Sequence, residues 1–300
     1  MNIDKQNGLV CFSEQSHTYW NVNDNGKYIS VTTLIEKFAQ PFDEDFWSAY
    51  KALERLIPAD SWKIEKKSLL NSHKVDTEIL TLYNIKEQDF NKAQQDILDE
   101  WDKTNKESCE RGTKIHAQLE ESMYKMGANV SLKKFGVGGK FVCDKGRTEL
   151  DLENGVYPEY LISRESPDGV LRIAGQIDLL VKQGNDITII DYKTNKEIKQ
   201  HSFFDSKSRK TIRMKYPLGN LEDCNYYHYT LQLSTYAWML QKFNPNFKIK
   251  DLIMVHFDHS GNQTVYHLDY LKDEVEKMLR FYKKDLLHKK QLSKYQRIEY

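Results

Sequence analysis

Two aspartates and a lysine stand in two consecutive strand candidates near the middle of this chain. In "ITIIDYKT" side chains alternate, so Asp191 and Lys193 point to the same side as isoleucines of the run. The preceding candidate, "VLRIAGQIDLLV", carries Asp178. A hairpin turn centred on Gly184 and Asn185, which these residue types favour, pairs Asp178 with Asp191. The spacing therefore predicts two opposed carboxylates with an ammonium group nearby.

Directly opposed carboxylates repel each other, because their Cβ atoms lie about 4.5 to 5.5 Å apart. A shared proton or a divalent cation relieves that repulsion. Lys193 offsets part of the charge, but one ammonium group cannot bridge both carboxylates with the geometry of a hard ion. We therefore interpret these residues as a metal site. The alternative is structural, with two strand-end aspartates and Lys193 as their salt-bridge partner.

The composition is that of a globular protein with an ample core. The 300 residues are 39% hydrophobic and 12% aromatic. No stretch approaches the roughly 18 uncharged apolar residues of a membrane helix, and the N-terminus lacks the basic-then-apolar order of a secretory signal. We expect a cytoplasmic protein without a membrane partner. Basic and acidic residues number 44 each, which excludes a uniformly basic surface but leaves room for a local basic groove.

The four cysteines are Cys11, Cys109, Cys143 and Cys224, and they are widely separated. No pair has the CxxC spacing that is typical of zinc or iron–sulfur sites. We therefore expect free thiols in a reducing compartment and no iron–sulfur cluster.

Hydrophobic periodicity and turn signals predict the elements that position these residues. The N-terminal elements are a hairpin at 8–30 that turns at Asn23 to Gly26, a helix capped by Ser30 or Thr32 that stops at Pro41, a helix-leaning segment at 42–90, and a helix from Asn91 to about Met126 with a possible break at Gly112 and a stop at Gly127. A three-stranded meander, an irregular basic segment at 197–225, a helix, a further strand and a closing helix follow. This order is typical of an α/β sandwich with a mixed sheet.

Five short motifs follow one another along the chain. They are "GTKIH" ending in His116, "YPEYLI" with Glu159, "GQID" from Gly175 to Asp178, "DYK" from Asp191 to Lys193, and "QLSTY" with Gln232 and Tyr236. The ordered set resembles the PD-(D/E)XK nuclease superfamily, and most closely its RecB-type exonuclease branch, which includes phage nucleases and the mitochondrial genome-maintenance exonuclease. The segment "SVTTLI" also resembles one found in phage and mitochondrial members.

The resemblance implies a restriction-endonuclease-like α/β core, in which helices flank a central mixed β-sheet. We expect one nuclease domain at 1–300. Within it, the resemblance places a helical N-terminal elaboration with a hairpin at 1–90, the PD-(D/E)XK core at 91–270 and a C-terminal helix at 271–300.

The resemblance also implies a ligand set for Mg²⁺ or Mn²⁺. Asp178 and Asp191, with His116 and the main-chain carbonyl of Tyr192, would hold the ion. His116 and Glu120 share a helix face because they are four residues apart. An imidazole ligand suits manganese alongside magnesium. The role of Glu120 stays open.

Four further residues have implied catalytic roles. Glu159 would position water or a second ion, and its alternative is a solvated strand-end acid. Lys193 would orient water or stabilise developing negative charge. Gln232 and Tyr236 face one way on their helix, and the resemblance implies that they steady Lys193 or the nucleic-acid backbone.

Cations and aromatic rings are interleaved in the segment that follows "DYK". Cations neutralise phosphates and rings stack on unpaired bases, so this pattern suits a single nucleic-acid strand. The alternative is a solvated loop. The residues are the cations Lys199, Lys207, Arg209, Lys210, Arg213 and Lys215 and the aromatic residues Phe203, Phe204 and Tyr216.

The sequence thus predicts a metal-dependent DNA nuclease that hydrolyses phosphodiester bonds. The resemblance favours an exonuclease acting on DNA ends or single strands, in phage DNA processing or recombination and in the host cytoplasm if phage-encoded. One alternative is a non-catalytic nucleic-acid-binding or scaffold protein that retains the fold. Another is a structure-specific endonuclease. The sequence does not identify protein partners.

Overall fold

A computed structural model describes residues 5–126, 131–132, 137–138, 152–205 and 210–296. The predicted helix stop at Gly127, the loop cations Lys207 and Arg209, and Cys143 lie outside these residues. The strands are β1 (Lys5–Asn7), β2 (Val10–Ser13), β3 (Thr18–Asn21), β4 (Lys27–Ser30), β5 (Ser131–Leu132), β6 (Val137–Gly138), β7 (Gly155–Glu165), β8 (Arg172–Gln183), β9 (Asp186–Lys193), β10 (Phe204–Asp205), β11 (Lys210–Thr211), β12 (Lys248–Phe257) and β13 (Gln263–His267). The helices are α1 (Val31–Glu36), α2 (Glu44–Leu56), α3 (Ala59–Ser72), α4 (Glu78–Leu82), α5 (Glu87–Met126), α6 (Asn225–Phe243) and α7 (Lys272–Gln296).

The main sheet is mixed and has nine strands within the described ranges. Its order is β1-β2-β3-β4-β8-β9-β12-β13. The ninth strand, β7, lies outside this order and pairs with β8. The predicted hairpin between β8 and β9 is confirmed, because Leu179 pairs with Ile190 and Gln183 with Asp186. Its turn contains Gly184 at a φ of 62°, a conformation that suits glycine. The helix α6 connects β9 to β12, which run parallel. Helices flank this sheet, so the predicted α/β fold class is confirmed.

The two faces of the sheet have different covers. On one face, residues of β7, β8 and β9 pack against α1, α6 and α7 in the largest apolar cluster. On the opposite face, Val156, Leu179 and Ile190 pack against Leu119 and Met123 of α5. Farther along that face, side chains of β2 and β4 cover β7 and β8. The opposite face therefore has two separate covers.

The strand β7 changes its alternation between these covers. Tyr157 and Tyr160 both pack into the largest cluster, although side chains three residues apart point to opposite faces of a regular strand. The change falls at Glu159, whose φ of 48° lies in the left-handed region. This backbone turns one carboxylate out of the normal alternation.

The neighbouring strand β8 changes its alternation at the same level. Ile177 and Leu180 are also three residues apart, and both pack into the largest cluster. The two strands keep one register on either side of the change. Asp178 and Glu159 therefore come together on the face that α5 covers.

The described residues divide into two compact units. One comprises residues up to 40, those at 114–204 and those from 211 onward, and it contains the main sheet. The other comprises residues 41–113 with 205–210. Its core is aromatic and aliphatic, with Phe46, Tyr50, Leu53 and Trp62 packed together. This second unit is helical in the range that we expected to lean toward helix.

Several predicted boundaries are wrong for identifiable reasons. Ser30 is the N-cap of α1, because its hydroxyl accepts the Thr33 N–H at 3.0 Å, but the helix ends at Glu36 and not at Pro41. The helix α5 passes through Gly112 without a break, since one glycine costs only about 1 kcal/mol in a long helix. The strand β13 was not predicted, and it pairs with β12. None of the helices in the described ranges is long and apolar enough to span a membrane.

We predict that Gly175→Ala destabilises the fold. A methyl group there would lie 2.5 Å from a ring carbon of Tyr236, whose side chain is buried and cannot move aside. Such overpacking costs about 1 to 3 kcal/mol of the free energy of unfolding. The matched control is Gly219→Ala, where the closest atom is the Met214 carbonyl at 3.8 Å. Denaturant unfolding of both variants checks this, and equal stabilities would contradict it.

Candidate metal-dependent active site

The predicted site residues converge where β9 ends. Five elements of the structure supply them. His116 comes from α5, Glu159 from β7, Asp178 from β8, Asp191 and Lys193 from β9, and Gln232 and Tyr236 from α6. Their contacts form two groups, one toward α5 and the other toward α6.

The group toward α5 consists of His116, Glu159 and Asp178. The His116 Nδ1 atom lies 3.6 Å from Asp178 Oδ1 and 4.0 Å from Glu159 Oε1. One ligand atom from each residue lies within 4.8 Å of the others. The second oxygen of Asp178 accepts the Tyr192 N–H at 2.7 Å. The three side chains thus present one nitrogen and two carboxylate oxygens to a common point.

The His116 ring is oriented by the backbone. Its Nε2 atom lies 3.1 Å from the Tyr192 carbonyl oxygen. A carbonyl only accepts, so Nε2 donates to it and Nδ1 is the ring atom that faces the carboxylates. A histidine that binds a metal ion commonly has this orientation, with its other ring N–H donated to a backbone carbonyl.

The group toward α6 is a polar network around a buried ion pair. The Lys193 ammonium lies 2.7 Å from Asp191 Oδ2, and Asp191 is only 1% exposed. Gln232 links the pair, because its amide nitrogen donates to Asp191 at 3.2 Å and its amide oxygen accepts from Lys193 at 3.3 Å. The same amide nitrogen lies 3.3 Å from the Tyr236 hydroxyl. Lys193 and Asp191 therefore have fixed positions.

The carboxylates toward α5 are short of positive charge. Burial and the nearby Asp178 carboxylate raise the pKa of Glu159 to about 8. Burial and the Asp191 carboxylate raise the pKa of Asp178 to about 6. By contrast, burial alone would lower the pKa of Lys193, but Asp191 and Asp178 outweigh it and raise that pKa, so Lys193 is an ammonium ion at neutral pH.

These residues fit a divalent cation. Carboxylate oxygens suit magnesium, and an added imidazole nitrogen suits manganese. The raised pKa values mean that Lys5 and His116 do not fully compensate the two acids, and an ion between them would do so. His116, Asp178 and Glu159 are the residues placed to hold it.

Two predicted ligands have other partners here. Asp191 is paired with Lys193, which offsets part of its repulsion of Asp178. The Tyr192 carbonyl accepts from His116. Their roles as ligands remain predictions. The role of Glu120 also stays open, although its charge acts on Glu159.

The loop residues that the structure describes are exposed. Phe203 and Phe204 are 67% and 54% exposed, and Tyr216 is 77% exposed. Lys199 pairs with Glu197 at 3.3 Å. Arg213 donates to the Asn220 carbonyl at 2.7 Å, so part of its role is structural.

Three residues of the site were missed in the sequence. Gln176 donates to Glu159, and its position two residues before Asp178 in "GQID" could have indicated this. The Tyr229 ring lies 4.6 Å from the Lys193 ammonium, and it stands one helical turn before Gln232. The Lys5 ammonium lies 3.6 Å from Glu159 Oε2. No local sequence pattern predicts a contact between residues so far apart along the chain.

Residues 128–297 match the sequence model of the PD-(D/E)XK nuclease superfamily. The match covers more than half of the chain, and the chain belongs to this superfamily. The members of this superfamily are nucleases that use divalent metal ions. The resemblance seen in the motifs is confirmed at this level, while the RecB-type branch stays a prediction.

The other similarities of this chain to known proteins are weak. No curated protein matches the sequence significantly. One solved structure, SSO0001, is 18% identical over 44% of this chain, with a TM-score of 0.28, and this chain spans about half of its length (50%). A proposed exonuclease from Eubacterium rectale is 11% identical over 87% of this chain and 79% of its own, with a TM-score of 0.29. With TM-scores this low, neither structure bears on the function of this chain.

We predict that the metal-free protein loses stability as the pH rises. The pKa of Glu159 is raised in the folded state from an ordinary 4.5 to about 8. Its contribution is therefore fully present below about pH 4.5 and is lost as the pH rises through about 8. With a chelator present, the Tm of the wild type should fall by roughly 5 °C or more over this range relative to that of Glu159→Gln.

The control for this experiment is the exposed Glu110→Gln, which should follow the wild type. Thermal unfolding at several pH values gives the comparison. Added Mn²⁺ should stabilise the wild type more at high pH than at low pH, because metal ligands must be deprotonated. Parallel curves for the wild type and Glu159→Gln would contradict the assigned electrostatics.

Proposed function

We propose that this chain is a Mg²⁺- or Mn²⁺-dependent deoxyribonuclease that hydrolyses phosphodiester bonds as an exonuclease. The observation that carries the proposal is the convergence of His116, Glu159 and Asp178 near a partly buried, charged Lys193. We propose that the enzyme acts in DNA processing or recombination in the cytoplasm, like the phage proteins that the motifs resemble.

In this mechanism His116, Asp178 and Glu159 would hold the ion, with Asp191 and the Tyr192 carbonyl as proposed further ligands. The ion would supply Lewis-acid polarisation of the scissile phosphate. The chain itself supplies a fixed positive charge. Lys193 is an ammonium ion on a tethered side chain, so it donates a hydrogen bond to the phosphoryl oxygen or the attacking water as negative charge develops.

The positions of Gln232 and Tyr236 support a structural role in this step. Gln232 contacts both members of the Asp191–Lys193 pair, and Tyr236 contacts Gln232. A preorganised charge needs no reorientation during the reaction, which is where such groups contribute most. We assign both residues to holding Lys193 in place.

The preference for ends and single strands is proposed from the exposed loop. Phe203 and Phe204 present rings to solvent, and the described loop cations Lys199 and Lys210 are also exposed. Rings that stack on bases need unpaired bases. A continuous duplex offers none, whereas single strands and frayed ends do.

The test uses end-labelled linear and covalently closed circular single-stranded DNA with Mn²⁺. We expect degradation of the linear DNA only, no reaction with a chelator, and no reaction with folded Asp178→Asn. Cleavage of the circle would make the enzyme an endonuclease. Binding without cleavage under all metal conditions would favour the non-catalytic alternative.

We predict that Lys193→Met lowers turnover on the order of a hundredfold or more with little change in DNA affinity. The reason is that the ammonium acts mainly on the transition state. The exposed Lys103→Met is the control. Single-turnover cleavage and equilibrium binding separate the two effects. If affinity collapsed while the rate per bound complex survived, Lys193 would be a phosphate anchor.

We also predict that rings and cations of the loop leave different signatures. Phe203→Ala and Phe204→Ala should each weaken single-strand binding by roughly 1 to 3 kcal/mol without changing the salt dependence. Lys199→Ala with Lys210→Ala should flatten the log–log salt slope by about 0.7 per lost contact. The exposed Ile64→Ala serves as a control in binding titrations at several salt concentrations. An unchanged slope would make the loop ordinary solvated surface.

A further inference from the structure

The first strand of the chain is fastened beside the strand that carries Glu159. The buried side chain of Asn7 on β1 donates to the Leu161 carbonyl on β7 at 2.7 Å. Two residues earlier on β1 is Lys5, and two residues earlier on β7 is Glu159. The anchor therefore fixes the point from which the Lys5 side chain extends to the site.

The Lys5 ammonium lies between two carboxylates. Its Nζ atom is 3.3 Å from Glu14 Oε1 and 3.6 Å from Glu159 Oε2. The Lys5 side chain is 24% exposed and that of Glu159 13%. Carboxylate oxygens of two residues thus surround one positive charge. A bound metal cation could occupy the same position.

Glu159 has a different partner for each oxygen. Oε1 faces His116, and through it the point shared with Asp178. Oε2 faces Lys5 and also accepts the amide of Gln176. With Oε2 engaged in this way, Glu159 has a single oxygen left for an ion on the His116 side.

We propose that Lys5 is a positioning residue that fills a second cation position at this site, so that the site takes one divalent ion and not two. This inference rests on the proposed metal-dependent function. A positive charge fixed beside Glu159 repels a second divalent ion and removes the oxygen that would be its bridging ligand. The ammonium thus neutralises the outer side of the acid cluster, and a single ion neutralises the inner side.

The experiment counts bound ions. Metal-free protein is titrated with Mn²⁺ and free Mn²⁺ is followed by electron paramagnetic resonance, for the wild type, Lys5→Met and Lys5→Arg. Lys5→Met keeps the apolar stem but removes the positive charge beside Glu14 and Glu159, whereas Lys5→Arg keeps the charge. Lys27→Met, an exposed lysine on β4, is the matched control. Lys5→Gln is a second neutral variant, and circular dichroism checks that each variant is folded.

We expect one ion per chain in the wild type, Lys5→Arg and Lys27→Met, and two in Lys5→Met and Lys5→Gln. Two ions in the wild type, or one in the folded neutral variants, would overturn the proposal while leaving the metal-dependent function intact. A wild type that binds no Mn²⁺, like Asp178→Asn, would overturn the proposed function and this inference together. The wild-type count is informative even if a neutral variant fails to fold.

Discussion

Buried negative charge is the constraint around which the sheet unit is organised. Glu159, Asp178 and Asp191 come together where water is largely excluded, and such charge is costly unless it is paired and hydrogen-bonded. Toward α6 a lysine faces the negative charge directly, because Lys193 and Gln232 contact Asp191. Toward α5 the compensation is partial. The negative charge is thus paired with a lysine on one face of the sheet. On the other face it remains partly uncompensated, and a metal ion would neutralise it.

The coincident changes of alternation in β7 and β8 make this division possible. If both strands alternated regularly, Glu159 and Asp178 would lie on the face that the largest apolar cluster occupies. If only one strand did, the two acids would lie on opposite faces. The left-handed φ of Glu159 stores roughly 1 to 3 kcal/mol of strain, which the well-packed strands around it can bear. Strain of this kind is common at functional sites, and here it brings Glu159 to His116 and Asp178.

The sequence predicted those features that depend on neighbours along the chain. The β8–β9 register followed from Gly184 and Asn185, and the grouping of Asp191 with Lys193 followed from alternation. The changes of alternation were not predictable, since they depend on the packing of two faces and leave no periodic signal. The N-terminal lysine of the site was not predictable either, because its partner is set by the placement of β1 and not by any motif. The superfamily was predicted from ordered motifs, while the split of the carboxylates between two groups required the structure.

The separation of the site residues along the chain has a consequence for biosynthesis. Asn7 contacts Leu161 across 154 residues, His116 contacts the Tyr192 carbonyl across 76, and Lys193 contacts Gln232 across 39. The parallel pairing of β9 with β12 also has to await α6. No short stretch of the nascent polypeptide can bring these groups together, and non-local closures of this kind form late and slowly. A chain still emerging from the ribosome therefore carries no assembled centre until α6 and β12 have been made.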